Sequence, residues 1–277
     1  MKKNKVIIIG SSGFVGSSIV KKCKDNGFSV EEITSKTIDL LNEGSADELS
    51  KVIKSNDIVV AVSAIAPVKN VTNFSDNLKI IHNITEALKI SKPCYFLNIG
   101  SDAVFIDQEE PLVETSIKAP ETLHGAMHLS RELCFTSLKI PFATLRPTLI
   151  YGLNDPHNGY GPNKFFRLAK KNQEIPLFGN GEELRDHVHI SDVSEAAIRM
   201  IKSKFVGSLN IASGEVISFK ELAEIIIKHL DSSSQIISLD RQGPMPHNGY
   251  RAFDITSIKS SFPGFVPKCF KEGIINY

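Results

Sequence analysis

The stretch "VIIIGSSGFVG", residues 6–16, constrains this chain more than any other. Four consecutive β-formers read as a buried strand. Glycines follow at 10, 13 and 16, and a helical pattern then runs to Gly27. Each glycine has a task that a side chain would obstruct. Gly10 permits a tight turn, Gly13 lets backbone approach a pyrophosphate, and Gly16 lets the helix pack close to the strand. The helix N-terminus adds unpaired N–H groups and partial positive charge. Strand, loop and helix in that order predict that Gly10, Ser12, Gly13, Phe14, Val15 and Gly16 cradle a dinucleotide; the competing reading is a bare structural turn.

The same alternation continues. "SVEEIT", "DIVVAVSAIA", "PCYFLNIGS" and "FATLRP" read as strands, while "NLKIIHNITEALKIS" and residues 120–139 read as helices. Strands apolar on both faces, alternating with helices, predict an α/β doubly wound parallel sheet of the Rossmann kind. Beyond about residue 150 the texture changes. "YGLNDPHNGYGPNKFF" has the Gly, Pro and Asn of a binding loop. A helix from about Asp192, a strand "GSLNIA" and a helix opening "SFKE" follow, with Ser218 and Glu221 at capping-box spacing. Residues 1–150 are therefore expected to form the dinucleotide-binding domain. Residues 151–277 are expected to form a smaller substrate-binding lobe, packed against the first and partly interleaved with it.

Composition narrows the function classes. At 277 residues and 42% hydrophobic, the chain can build a substantial core. Its 32 Lys and Arg against 31 Asp and Glu leave no basic excess for nucleic acid. No apolar run is long enough for a membrane span, and the opening run is too short for a signal peptide. Cys23, Cys94, Cys134 and Cys269 are scattered, with neither metal nor redox spacing, which reads as reduced thiols in a cytoplasmic protein and gives no metal site. At the end of the second strand Thr34, Ser35 and Lys36 stand where a carboxylate would hold the ribose of NAD. Two hydroxyls and a Lys suit a 2′-phosphate and favour NADP over NAD; the alternative is that Lys36 is simply solvated.

With these segments in order, the chain resembles the extended short-chain dehydrogenase/reductase family of nucleotide-sugar epimerases, dehydratases and reductases. The resemblance implies that Val62, Ser63 and Ala64 in "DIVVAVSAIA" lie beside the dinucleotide, and that Asn77 opens the next helix and serves the cofactor site. It makes Ser101 in "GSDAVF" the catalytic hydroxyl, with Asp102 its neighbour. "LRPTLIYG" resembles the strand that leads into the substrate loop. Arg185 in "LRDHVHISDV" and Arg251 in "RAFDITSIK" are implied to hold the diphosphate of a nucleotide sugar. A homodimer through the two long helices of the first lobe is a further implication.

One segment departs from the family. Its active helix carries Tyr, three residues, then Lys, and here "HGAMH" puts His124 and His128 in those places. Helical spacing sets both on one face. Three readings follow. In the first, His124 replaces the Tyr as acid/base. A phenol titrates near ~10 and needs a cationic neighbour, whereas imidazole titrates near ~6.5 and does not. Imidazole is the shorter ring, so substrate or backbone must move inward or a water must bridge. In the second, hydride chemistry is lost, and the protein binds a nucleotide sugar or dinucleotide with no redox turnover, or works as an acid–base pair of Asp102 and His124. Asp102 would otherwise only cap the following loop. In the third, the His pair with Asp102 binds a metal.

Other residues carry milder expectations. Asn163 and Lys164 stand at a helix start suited to a phosphate or to an ordinary cap. Glu114 is substrate-facing or a solvated loop carboxylate. His187 and His189 share a strand face and read as structural. Phe165, Phe166 and Phe178 read as core before base-stacking. Tyr151 and Tyr160 are the phenols nearest the substrate loop.

Overall fold

The computed structural model describes residues 4–156 and 158–275. In chain order its first elements are β1 (Val6–Ile9), α1 (Phe14–Asp25), β2 (Val30–Ile33), α2 (Ser45–Val52), β3 (Ile58–Ala61), α3 (Val71–Ser91), β4 (Tyr95–Ile99), α4 (Leu123–Thr136) and β5 (Phe142–Pro147). Then come β6 (Leu149–Tyr151), α5 (Pro162–Ala169), β7 (Ile175–Phe178), β8 (Leu184–His189), α6 (Ile190–Ser203) and β9 (Gly207–Ile211). The last are β10 (Val216–Ser218), α7 (Phe219–His229), β11 (Ile236–Leu239), β12 (Tyr250–Arg251), α8 (Thr256–Ser261) and α9 (Phe270–Ile274). The chain divides into two compact units. The first takes in the chain to Ile106, Ser116–Pro147 and Val193–Leu209, and the second takes in Asp107–Thr115, Thr148–Asp192 and the chain from Asn210.

The first unit is built on a six-stranded sheet in the order β2-β1-β3-β4-β5-β9. Neighbours from β2 to β5 are parallel. Side chains alternate between its faces. Ile7, Ile9, Val59, Ala61 and Phe96 join one buried cluster with Leu49 of α2, Ile80 and Ile84 of α3 and Met127 and Phe135 of α4. Their alternates Ile8, Ile58, Val60, Tyr95 and Leu97 are equally buried. That second face is covered by α1 and α6, which are joined by Lys22–Glu195 at 2.7 Å and by Lys202 to Asn26 at 2.6 Å. The Tyr95 hydroxyl donates to the Phe205 carbonyl, just past α6, at 2.8 Å. The doubly wound sheet expected from the apolar runs is present.

Some elements differ from the sequence reading. α3 opens at Val71, not at Asn77, because Asn70 caps it by accepting from Asn73 N at 2.8 Å. β3 stops at Ala61, where Val62 N and Ser63 N both turn to the Ile9 carbonyl at 2.9 Å. α2 buries only Ser45 and Leu49, too little periodicity to announce a helix.

In the second unit β8 pairs antiparallel with β10 and parallel with β6 and β12. β7 and β11 form a separate parallel pair. A cluster including Phe165, Phe166, Ile175, Leu222 and Phe270 fills its core. Ser218 caps α7 through Glu221 N at 3.0 Å. Among the described residues no helix is long and apolar enough to cross a membrane.

Candidate active site

The sheet reverses its winding at β1, with β2 on one side and β3 on the other, and a crevice opens where their ends diverge. The loop after β1 is held by the Ile33 carbonyl, which accepts from Gly10 N at 2.8 Å and from Ser11 N and Oγ at 3.2 Å. Gly10 has φ +89°, and a Cβ there would lie 2.6 Å from Ser63 N. A Cβ on Gly16 would fall 2.0 Å from the Gly10 carbonyl oxygen, so α1 could not seat. Gly13 differs: a Cβ there meets only Gly10 O, at an ordinary 3.5 Å. What Gly13 keeps clear is the space over the first turn of α1, a helix with no side-chain cap. Ser12 and Gly13 are exposed there, with Phe14 and Val15 half-buried. Open first-turn amides under a cleared backbone fit a pyrophosphate.

Beside this loop Val62, Ser63 and Ala64 follow the end of β3, all half-buried, and Ser63 Oγ is a buried polar atom with no partner among the described residues. Asn77 does not open its helix. It sits in the second turn, its amide donating to Ile65 O at 3.0 Å and Asn73 O at 2.8 Å and accepting from Ile65 N at 3.0 Å, so it braces the segment after Ala64. At the end of β2 the Thr34 hydroxyl accepts from Lys36 N at 3.2 Å, while the Ser35 and Lys36 side chains are exposed.

The His pair lies at the start of α4. Thr122 caps that helix through Gly125 N at 3.1 Å. A Cβ on Gly125 would sit 2.1 Å from Ala103 O, so the helix end presses on the short turn Asp102–Val104. Ser101 caps this turn by accepting from Ala103 N at 3.1 Å, and its hydroxyl reaches Asp102 Oδ1 at 3.4 Å. The His124 and His128 rings stand 4.8 Å apart and nearly perpendicular. His124 Nδ1 accepts from Val68 N at 3.5 Å, which puts the proton of the neutral ring on Nε2. Burial pushes the His124 imidazole below its ordinary range, and Asp102 pulls it partly back. His128 is held well below that range by burial, by His124 and by Arg131. Two neutral imidazoles result, each able to accept a proton. Among the described residues no three His, Cys, Asp or Glu side chains group to hold a metal ion.

Ser101, Asp102, His124, His128 and Ser63 thus fall in the first unit. So does Arg131, which the sequence reading missed: it is buried on α4, Nε to Asn98 Oδ1 at 2.6 Å and Nη1 to Ser63 O. The only signal was its spacing, one turn beyond His128.

The second unit holds the other expected residues. Arg185 and Arg251 are neighbours across β8 and β12. Arg185 donates to Glu183 at 3.3 Å, to Leu184 O at 2.9 Å and to Pro246 O. Arg251 donates to Asp107, which also meets His247 Nδ1 at 2.7 Å. Both guanidinium groups therefore already engage carboxylates. Asn163 holds the loop before α5, accepting from Gly152 N at 3.2 Å and donating to Asp155. Glu114 accepts from Asn210 N at 2.9 Å. His187 is buried beside Phe219 and Phe270, and burial pushes its pKa down to about 3. His189 Nδ1 meets Ser191 Oγ at 2.7 Å. Tyr151 is buried against Gly273, where a Cβ would fall 1.8 Å from its oxygen. The Tyr160 hydroxyl accepts from Phe178 N at 3.2 Å. His187 and His189 thus hold the structural places expected of them, whereas Asn163, expected at a phosphate or a cap, and Glu114, expected to face substrate or solvent, instead fasten backbone N–H groups of Gly152 and Asn210.

Comparison with known proteins places this geometry. Residues 6–212 match the family model of the NAD dependent epimerase/dehydratase family. The UDP-N-acetyl-alpha-D-glucosaminuronate decarboxylase of Bacillus cytotoxicus is 26% identical over 300 residues, 93% of this chain and 91% of the relative. Among solved structures, the UDP-N-acetylglucosamine 4-epimerase from Bacillus cereus superposes with a TM-score of 0.85 at 20% identity, over 99% of this chain and 94% of that one. The Thermus thermophilus UDP-glucose 4-epimerase complex with NAD gives 0.83 at 21% identity, over 98% and 96%.

Proposed function

Since the chain belongs to the NAD dependent epimerase/dehydratase family, we propose that it is an NAD(P)-dependent epimerase or reductase of a nucleotide-activated sugar, with His124 as its acid/base. Gly10, Ser12, Gly13, Phe14, Val15 and Gly16 would hold the pyrophosphate, Val62, Ser63 and Ala64 the neighbouring part of the dinucleotide, and Ser35 and Lys36 the adenosine ribose. Bound there, the cofactor would exchange hydride with a sugar carbon. The exposed Lys36, with no carboxylate at the end of β2, supports NADP over NAD; the similar Thermus thermophilus protein is described with NAD, so both are tested.

The observation that carries the reading is His124 set beside Asp102 by the close seating of Gly125 on Ala103. At 3.5 Å the Val68 contact is at the outer limit of a hydrogen bond, so a substrate hydroxyl competes for the same lone pair. The hydroxyl proton then passes to Nδ1, and Asp102 stabilises the imidazolium. Ser101 polarises the resulting carbonyl with its O–H. In reduction the same proton returns. Arg185 and Arg251 are the second unit's groups for a diphosphate, whose oxygens would displace Glu183 and Asp107 from part of their contacts. The second reading, a binding protein of the same fold without redox turnover, is favoured by the burial of His128, which leaves α4 no ammonium at that position.

Titration with NADH and NADPH, read by nicotinamide fluorescence, tests the cofactor reading; binding of neither removes it. With cofactor bound, His124→Ala should lower turnover at least about tenfold while sparing dinucleotide affinity. Unchanged turnover rejects the role of His124.

A further inference from the structure

We propose that Arg131 is the fixed positive charge of this site and a positioning residue for its proton: it denies the proton to His128 and so leaves it to His124. The inference rests on the redox reading above, which it deepens. Arg131 is 1% exposed, yet both of its acceptors, Asn98 Oδ1 and the Ser63 carbonyl, are neutral. The adjacent carboxylate, Glu132, turns the other way. It takes Arg146 at 2.7 and 2.9 Å and Lys118 at 3.5 Å, and among the described residues no carboxylate pairs with Arg131. An uncompensated buried cation strongly disfavours a second one nearby.

Three polar atoms around it have no partner among the described residues: Arg131 Nη2, His128 Nδ1 and Ser63 Oγ. His128 is 7% exposed, so water does not offset that loss freely. Burial is the first cause that keeps His128 neutral; of the charged and titratable groups, His124 and then Arg131, one turn further along the same helix, add to it, while Asp102 bears on His124. With the two rings 4.8 Å apart, only one can carry charge. Arg131 stands on the His128 side and a carboxylate on the His124 side, so the charge goes to His124. The same guanidinium joins the ends of β3 and β4, fixing Ser63 where its backbone meets Gly10.

The test is an NMR pH titration of the imidazoles in the full chain without cofactor. In the unsubstituted protein His124 should titrate while His128 stays neutral until the chain unfolds. In Arg131→Met, His128 should take up a proton while the chain is still folded, at a pH where it stays neutral in the unsubstituted protein. In Arg131→Lys, which keeps the charge, it should not. The acid limb of kcat/KM should move in Arg131→Met and return in Arg131→Lys. Protonation of His128 before His124 in the unsubstituted protein overturns the proposal, and that result stands even where Arg131→Met fails to fold. A His128 titration unchanged in folded Arg131→Met overturns it too. Absence of dinucleotide binding or turnover, with these titrations as expected, removes the redox reading and leaves the charge assignment standing.

Discussion

Gly13 and Gly16 lie three residues apart and answer to different physics. Gly16 is a packing glycine: a Cβ 2.0 Å from Gly10 O must push α1 off β1. Gly13 leaves ordinary room for a methyl group within the protein itself. Gly13→Ala should therefore melt like the unsubstituted chain and, on the proposed cofactor site, bind dinucleotide at least about tenfold more weakly, since the methyl group would take the place proposed for the anion. Gly16→Ala should lose roughly 1–3 kcal/mol or more of stability. Thermal melts and NADH titration separate the two. This loop was legible in the sequence because a glycine's demand is local. The His pair was legible as a departure from a pattern. Arg131 was not, because an Arg on a helix reads as solvated, and only the neutral acceptors at Ser63 and Asn98, far away in sequence, show it buried.

α4 shows how an element carries a site. Its start is set by Gly125 against Ala103, and its middle by Glu132 against Arg146 of β5, a pair 6% and 1% exposed. Glu132→Gln would leave Arg146 buried without its counter-charge, and chemical denaturation should show a loss of about 3–5 kcal/mol. Activity should fall with it, because His124 and Arg131 ride on the same helix. The sequence revealed α4 through its periodicity, with ends close to those observed. It placed the start of α3 at Asn77 because the apolar pattern strengthens there, whereas a polar cap, Asn70, decides where the helix begins. α2, with one buried Leu, gave periodicity nothing to register.

At the scale of the whole molecule, buried imidazoles set the acid limit. His124, His128, His187 and His189 are all pushed below their ordinary range, chiefly by burial. A folded pKa below the unfolded one means that the unfolded chain binds more protons in between. Their contribution to stability is thus complete above about pH 6.5 and is lost as pH falls. For His187 the loss runs from about 6.5 down to about 3. Unfolding free energy measured against pH should fall on the acid side, and His187→Phe should flatten that slope. A slope unchanged in the variant rejects the assignment. His187 read as structural from its sequence; the two aromatic rings that keep it dry did not show there.

The order in which the parts appear along the polypeptide has its own consequence. α6 and β9, which cover one sheet face and extend its edge, come only after the residue 148–192 segment of the second unit. A growing chain that has reached Pro147 holds every parallel strand from β1 to β5 and still leaves Tyr95 and its neighbours facing water. The piece ending at Pro147 should therefore aggregate when expressed alone, while the full chain, which adds α6 and β9 and completes the core of the second unit, should stay in the soluble fraction of a lysate. The first unit of this protein is not an autonomous cassette; it is finished late, by residues made after a long detour.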